Sequence, residues 1–238
     1  MPTTPLPQII SLGGGGFSME PDNPALDRYV CQVTGKEQPR VCYLAQAGGE
    51  NYQFITRFYR AFTDLDARPS DLSLFQPHTA DLAGFLLGQD AIYVGGGNTK
   101  SMLALWREWG VDSILRQVWQ QGIVLAGISA GAICWFSEGL TDSIPGDYIG
   151  LPCLGFLSMS CSPHFDGEAE RRPTYHRLVG SGQMQAGCGV DDYAALHFVG
   201  EKLERVVAFQ PQAAAQWIEP DGSGGVTETR LDAVYLGQ

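Results

Sequence analysis

The sequence has no long apolar run. Nowhere do about 18 consecutive apolar residues occur, so a membrane-spanning helix is not expected. The first residues, Met1–Pro7, have neither the basic start nor the apolar stretch of a secretion signal. We therefore expect a cytoplasmic protein without a membrane partner.

Basic residues are also scarce. Lys and Arg total 15 against 26 Asp and Glu, which gives a formal net charge of −11. The densest basic group lies in one predicted helix and consists of Arg171, Arg172, His176 and Arg177. A phosphate backbone needs an extended basic surface, so no nucleic-acid partner is expected.

The six cysteines do not form a Cys-x-x-Cys pair. They are scattered, three of them in apolar runs, which indicates reduced core residues of a cytoplasmic protein. Cys161 and His164 have ligand-like spacing, but a zinc site needs two further ligands, and none has suitable spacing. We expect no metal and no cofactor.

Short apolar runs alternate with amphipathic stretches up to about residue 137, a pattern typical of βαβ units. Aromatic residues at helical spacing predict a helix over Tyr52–Phe62 that packs on the sheet. The predicted strands are Gln8–Leu12, Val41–Gln46, Leu72–Phe75, Ala91–Val94 and Ile123–Ile128. After Glu138 glycine and proline become frequent, and the short β-like runs are Phe156–Cys161, Ala194–Val199, Arg205–Phe209 and Ala233–Leu236. One α/β domain over 1–238 is predicted, with a mostly parallel sheet flanked by helices and an antiparallel C-terminal β extension.

The segment Gly127–Ala132 has a Gly-x-Ser-x-Gly pattern between an apolar run and a helix-compatible run. A sharp strand-to-helix turn of this kind exposes its serine for attack, and Ser129 is therefore a candidate nucleophile. The amide of the following residue, Ala130, is the usual oxyanion donor. The alternative is a glycine-rich turn in which Ser129 only caps the helix.

Two further glycine turns follow predicted strands. Gly95–Thr99 places backbone amides at a helix start, where one of them could help form an oxyanion hole beside the serine turn. Gly13–Gly16 does not match the dinucleotide pattern, because Ser18 stands at the sixth position. We expect this second turn to be a loop that leaves space for substrate.

Three segments together, Gly95–Thr99, Gly127–Ala132 and Ser162–Phe165, resemble the peptidase E (aspartyl dipeptidase) family, whose distant relatives include cyanophycinase. The resemblance extends from about residue 8 to residue 218. It implies a flavodoxin-like or amidotransferase-like α/β fold and a cytoplasmic serine peptidase that needs no metal.

The resemblance also implies roles for single residues. Ser129 corresponds to the nucleophile, His164 to its base, and Gly97 with Ala130 to the oxyanion donors. These roles agree with the chemistry, because a serine hydroxyl needs an adjacent imidazole to accept its proton.

The third catalytic residue is less directly indicated. The family typically has a glutamate where this sequence has Asp192, and a shorter side chain requires a closer backbone. Asp142 is the alternative, followed by Asp191 and Glu138. Whichever carboxylate is used must orient the imidazole and stabilise its cation.

In family members that cleave after an N-terminal aspartate, an arginine after the catalytic histidine binds the aspartate. Arg171 or Arg172 would hold this position, since guanidinium groups bind carboxylates in a bidentate manner. The predicted activity is hydrolysis of short peptides, most simply dipeptides, by a chain that could form a homodimer. The alternatives are a non-catalytic binding or regulatory protein and an amidotransferase-like enzyme, although the latter class has cysteine at the position of Ser129.

Overall fold

A computed structural model describes residues 6–237. The strands are β1 (Gln8–Leu12), β2 (Arg40–Leu44), β3 (Arg68–Asp71), β4 (Ala91–Val94), β5 (Val124–Ile128), β6 (Phe136–Thr141), β7 (Ile149–Pro152), β8 (Leu157–Ser162), β9 (Gly187–Val190), β10 (Ala194–Val199), β11 (Lys202–Ala208), β12 (Ala215–Pro220), β13 (Val226–Leu231) and β14 (Ala233–Tyr235). The helices are α1 (Gly16–Met19), α2 (Ala25–Val33), α3 (Tyr52–Asp64), α4 (Leu82–Leu87), α5 (Thr99–Trp109), α6 (Val111–Gln120), α7 (Ala130–Ile133) and α8 (Arg171–Gly180).

The larger sheet has eight strands in the order β14-β11-β10-β1-β5-β4-β2-β3. From β1 to β3 all neighbours are parallel, which confirms the predicted α/β fold with a mostly parallel sheet. At the other side β10 pairs antiparallel with β1, and β11 pairs antiparallel with β10, as expected for the C-terminal extension. The parallel strands end at one edge, where open α/β sheets bind their ligands.

Helices cover both faces of this sheet because its strands are apolar on both sides. In β4, Ile92 and Val94 belong to the core under α5 and α6, while Ala91 and Tyr93 belong to the core on the opposite face. Tyr93 packs there with aromatic residues of α3, including Phe62. In the described part of the chain, no helix is both long enough and apolar enough to cross a membrane.

A second sheet of six strands, in the order β13-β12-β9-β8-β6-β7, was not predicted as a separate layer. Its strands include close approaches that only glycine permits. A Cβ on Gly187 would lie 2.0 Å from the Ser160 carbonyl oxygen, and one on Gly189 would lie 2.6 Å from the Phe165 ring. Strands of this composition lack the apolar alternation from which strands are recognised.

The predicted strand Leu72–Phe75 is wrong, because the strand β3 precedes it. β3 has the polar sequence Arg-Pro-Ser-Asp at the sheet edge, whereas Leu72 and Leu74 lie in the following loop with buried side chains. The Leu74 amide donates to Glu50 Oε1 at 2.6 Å, which holds the loop in place. The buried leucines of this loop therefore give the sequence pattern of a strand, although the loop is not one. The helix predicted over Tyr52–Phe62 is confirmed as α3.

Candidate active site

Ser129 lies in a strained turn between β5 and α7. Its backbone has φ 57° and ψ −112°, a conformation that non-glycine residues rarely adopt. Glycines on both sides make the turn possible: a Cβ on Gly127 would lie 2.4 Å from the Gly131 carbonyl oxygen, and one on Gly131 would lie 2.2 Å from the Val94 carbonyl oxygen. The turn lifts the serine out of the strand and into a cavity.

The cavity has a volume of about 190 Å³ and contains both Ser129 and His164 in its wall. The loops after β1, β2, β4 and β5 contribute most of the remaining wall, as expected for the carboxyl edge of a parallel sheet. The lining residues are Ser18, Met19, Tyr43, Ala45, Gly48, Asn51, Phe54, Gly96, Ile128, Ser129 and His164. A candidate nucleophile and a candidate base therefore face one small space.

His164 follows β8 of the second sheet and reaches this space through an unusual backbone with φ 49°. Its amide donates to the Gly13 carbonyl oxygen at 3.2 Å, which fixes it to the loop after β1. Its Nδ1 lies 2.6 Å from Asp192 Oδ1. An imidazole bonded to a carboxylate through Nδ1 has Nε2 free to accept a proton from serine.

Asp192 lies in the turn between β9 and β10 and packs between two glycines. A Cβ on Gly14 would lie 1.9 Å from Asp192 Oδ1, and one on Gly167 would lie 2.3 Å from Asp192 Oδ2. The Asp192 amide donates to Asp166 Oδ1 at 2.8 Å. The backbone thus comes close enough for the short aspartate side chain to reach the imidazole.

The alternative carboxylates have other surroundings. Asp191 accepts hydrogen bonds from the Ala214 amide and from Gln216, and it joins β9 to β12. Burial raises the pKa of Asp191, a further sign of an enclosed structural position. Asp142 is exposed after β6, and Glu138 lies within β6 opposite Ser160.

The predicted oxyanion donors lie on two turns that pack together. Ala130 is the first residue of α7, so its amide has no partner within the helix. A Cβ on Gly96 would lie 3.3 Å from Ser129 Cβ, which shows how closely the Gly95–Thr99 turn approaches the serine. Gly97 has φ 134° and lies against the Ala47 carbonyl group, and Asn98 caps α5. The roles of Gly97 and Ala130 remain predictions.

Neither arginine proposed for aspartate recognition lines the cavity. Arg171 is buried, bonds Glu168 Oε2 at 2.7 Å and donates to the Leu140 carbonyl oxygen. Arg172 pairs with Glu228 on β13 and is 45% exposed. These contacts hold α8 against the second sheet, and they give no support to the predicted role.

Sequence analysis did not identify the apolar part of the cavity wall. Phe54 belongs to the aromatic pattern of α3, which was interpreted as packing surface, although this ring lines the cavity. Met19 comes from α1, the short helix that begins at Gly16, the last residue of the loop that was expected to leave space for substrate. Among residues 6–237 no group of three or more His, Cys, Asp or Glu side chains could hold a metal ion.

Comparison with known proteins identifies the family of this chain. Residues 9–206 match the family model of Peptidase family S51. The uncharacterized peptidase YgaJ of Bacillus subtilis (strain 168) is 50% identical over 230 residues, which are 97% of this chain and 99% of that protein.

Two solved structures share the fold. A peptidase from an acI-B1 Actinobacterium has a TM-score of 0.70 at 17% identity, over 97% of this chain and 96% of its own. A putative peptidase E protein from Listeria monocytogenes EGD-e has a TM-score of 0.60 at 16% identity, over 95% of this chain and 100% of its own. The family match and the Bacillus relative confirm the family resemblance seen in the sequence motifs. This chain belongs to peptidase family S51 and is a serine-type peptidase.

Proposed function

We propose that this peptidase hydrolyses short peptides, in the simplest case dipeptides, through an acyl-enzyme on Ser129. One observation carries the proposal: Ser129 in its strained turn and His164, hydrogen-bonded to Asp192, line the same cavity. A nucleophile, a base and a group that orients the base are the parts that acyl transfer requires.

The reaction would proceed in two halves. Ser129 Oγ attacks the peptide carbonyl carbon while His164 Nε2 takes the hydroxyl proton, and Asp192 stabilises the resulting imidazolium. The amides of Gly97 and Ala130 would stabilise the negative oxygen of the tetrahedral intermediate. The C–N bond then breaks as His164 returns the proton to the leaving amine, and water activated by His164 releases the acyl group from Ser129.

The cavity beside Ser129 is small. Its volume of about 190 Å³ is below the roughly 300–1,000 Å³ of typical small-molecule pockets, which supports recognition of a small part of the substrate at the serine. Recognition of an acidic first residue by Arg171 or Arg172 stays a prediction without support from their contacts. Residues from both halves of the chain meet at the site, which supports one catalytic domain. A homodimer also stays a prediction.

We place the protein in the cytoplasm. All six cysteines are free, and five of them are buried. Secreted proteins usually pair their cysteines, whereas cytoplasmic thiols are kept reduced. This supports a cytoplasmic peptidase that acts on small peptides.

A dipeptide panel tests the proposed function. The panel includes Asp-first, apolar-first and Gly-first members, and it is assayed with the unmodified protein, Ser129→Ala and a control, Ser113→Ala, on the exposed surface of α6. We expect hydrolysis by the unmodified protein and the control, and a loss of at least about 10³-fold in Ser129→Ala. Equal hydrolysis by Ser129→Ala would disprove the acyl-enzyme, and a fold that binds dipeptides without cleaving them would favour the non-catalytic alternative.

A further inference from the structure

The cavity beside Ser129 also indicates which substrates this site selects. We propose that it is a subsite for one uncharged, mainly apolar side chain, that of the residue whose carbonyl group Ser129 attacks. The inference rests on the proposed function. It names a substrate class, peptides with a residue such as Leu, Met or Phe at that position.

The cavity wall is predominantly apolar. Its apolar lining residues are Met19 of α1, Phe54 of α3, Ala45 and Ile128, the residue directly before the nucleophile. Phe54 is only partly buried by its own protein neighbours, although it packs against the core of the sheet face. An apolar side chain that entered the cavity would remove this surface from water, which is favourable by about 25 cal/mol per Å².

No Arg, Lys, Asp or Glu occurs among the residues that line this cavity in the described part of the chain. A substrate carboxylate placed there would lose its hydration without gaining a cationic partner, and such burial is strongly unfavourable. The two arginines of α8 are engaged with Glu168 and Glu228. The cavity therefore discriminates against an acidic side chain.

One cation does lie near the rim. The Arg57 guanidinium is 5.6 Å from the centre of the Phe54 ring, and its Nη1 is 3.5 Å from the Ser18 carbonyl oxygen. Arg57 is exposed and is not part of the lining, so water screens its charge.

The cavity volume corresponds to a single side chain. An apolar cavity of about 150 Å³ can hold benzene, and this cavity has about 190 Å³. A branched aliphatic or a phenyl group therefore fits, but two residues do not. Met19 is 42% exposed, and an unbranched thioether can adjust to different shapes, so we expect tolerance among apolar side chains of this size.

The position of the cavity indicates which substrate residue enters it. Its wall includes Ser129 itself and Gly96, which belongs to the turn with the proposed oxyanion donor Gly97. The carbonyl group under attack would lie between the serine and that turn. We assign the adjoining space to the acyl part of the substrate.

Phosphonate probes test the inference, because they place a chosen acyl-side group at the nucleophile without needing a known substrate. The probes are aryl aminoalkylphosphonates with an isobutyl, benzyl, carboxymethyl or carboxamidomethyl side chain, and the rate of Ser129 labelling is followed by intact mass. The carboxamide probe separates polarity from charge, since the whole protein is acidic. We expect the isobutyl and benzyl probes to react at least about 10-fold faster than the two polar probes.

Phe54→Ala and Met19→Ala link the preference to the cavity wall. Each is expected to reduce the ratio of benzyl to carboxamidomethyl labelling at least about threefold, whereas the exposed Phe75→Ala, outside the cavity, should keep the ratio. An unchanged ratio in both wall variants would overturn the inference.

The probes distinguish an error in the apolar subsite from an error in the proposed serine mechanism. If Ser129 reacts with a small fluorophosphonate but prefers the carboxymethyl probe, the apolar subsite is wrong and the serine mechanism stands. If neither the fluorophosphonate nor any phosphonate labels Ser129, the proposed function is wrong and the inference is lost with it.

Discussion

Two glycines determine how closely Asp192 approaches His164. The carboxylate of Asp192 occupies the space that a side chain would take at Gly14 or at Gly167. The peptidase E family typically has the longer glutamate at this position. Here the shorter Asp192 reaches the imidazole, and the hydrogen bond between Asp192 Oδ1 and His164 Nδ1 is 2.6 Å long.

Asp192→Asn is expected to lower kcat by about 10³- to 10⁴-fold, because an amide neither stabilises the imidazolium nor fixes the required tautomer. Asp192→Glu should also lose most of its activity, since the extra methylene would push the carboxylate into the neighbouring glycine backbone. Steady-state kinetics on a cleaved dipeptide measure both changes. Asp142→Asn is the matched control, and a large loss there with a small loss in Asp192→Asn would transfer the role to Asp142.

Gly14→Ala tests whether the close packing at Gly14 holds Asp192 and His164 in place. The added methyl group would lie 1.9 Å from Asp192 Oδ1 and 3.1 Å from His164 Nδ1, so it must displace the pair. A displacement of about 1 Å can reduce turnover by about 10²-fold. We expect kcat to fall by that order while the fluorescence-monitored unfolding temperature falls only modestly. Unchanged kcat would show that Asp192 and His164 need not remain in this position.

Some residues of the site could be predicted from the sequence, and others could not. Ser129 and His164 are found from local motifs, because a strained turn needs its glycines close by in the chain. Met19 and Phe54 face the cavity only after α1 and α3 have packed on the sheet. No local pattern distinguishes Phe54 from its packing neighbours Phe58 and Phe62.

At the scale of elements, α1 is tied to α2 by a buried carboxyl group. Asp27 Oδ2 accepts a hydrogen bond of 2.7 Å from the Phe17 amide at the start of α1. The Phe17 ring in turn packs edge-on against Tyr43 and Phe58. Asp27 thereby positions the short helix that carries Ser18 and Met19 into the cavity wall.

Burial raises the pKa of Asp27 from 3.8 to about 7. Between these values the folded protein retains a proton that the unfolded chain has lost. The contribution of the neutral carboxyl group to the free energy of unfolding is therefore fully present below about pH 4 and is lost as the pH rises to about 7. The free energy of unfolding falls by at most about 1.4 kcal/mol per pH unit in this range.

Asp27→Asn removes this titration but keeps a hydrogen-bond acceptor for the Phe17 amide. We expect the difference in unfolding free energy between pH 5 and pH 8 to become smaller by about 2 kcal/mol. Urea denaturation at the two pH values measures it, with the exposed Asp22→Asn as control. The account of Asp27 fails if Asp27→Asn keeps the pH dependence of the unmodified protein.

The helix α8 could be predicted from the sequence, but the contacts of its arginines could not. A helix was predicted around Arg171–Arg177, and the structure contains it. The partners of Arg171 are Glu168, one turn earlier, and the Leu140 carbonyl oxygen, 31 residues away. An arginine that binds a substrate and one that anchors a helix look the same in a sequence, because the difference lies in distant partners.

At the scale of the whole molecule, the site lies where the two sheets meet. β5 of the large sheet leads to Ser129, β8 of the second sheet leads to His164, and Asp192 lies on the connection from β9 to β10, which passes between the sheets. The three residues are therefore held by elements that depend on each other for packing.

Most of the large sheet was predictable because the parallel strands β1, β2, β4 and β5 are apolar runs, whereas the polar edge strand β3 was missed. The second sheet was not predictable as a layer, since β6 and β9 contain glycine at positions where other segments of the chain approach closely. Pairing of such strands depends on contacts distant in sequence. The number of strands could be partly predicted, but their division between two sheets could not.

Ser129 is the proposed nucleophile of this S51 peptidase. Its most direct test is intact-mass analysis and peptide mapping after reaction with a fluorophosphonate, on the unmodified protein, Ser129→Ala and Ser113→Ala. We predict one label per chain, located at Ser129, which is absent in Ser129→Ala and retained in Ser113→Ala. A label on another serine, or equal labelling of folded Ser129→Ala, would contradict the account.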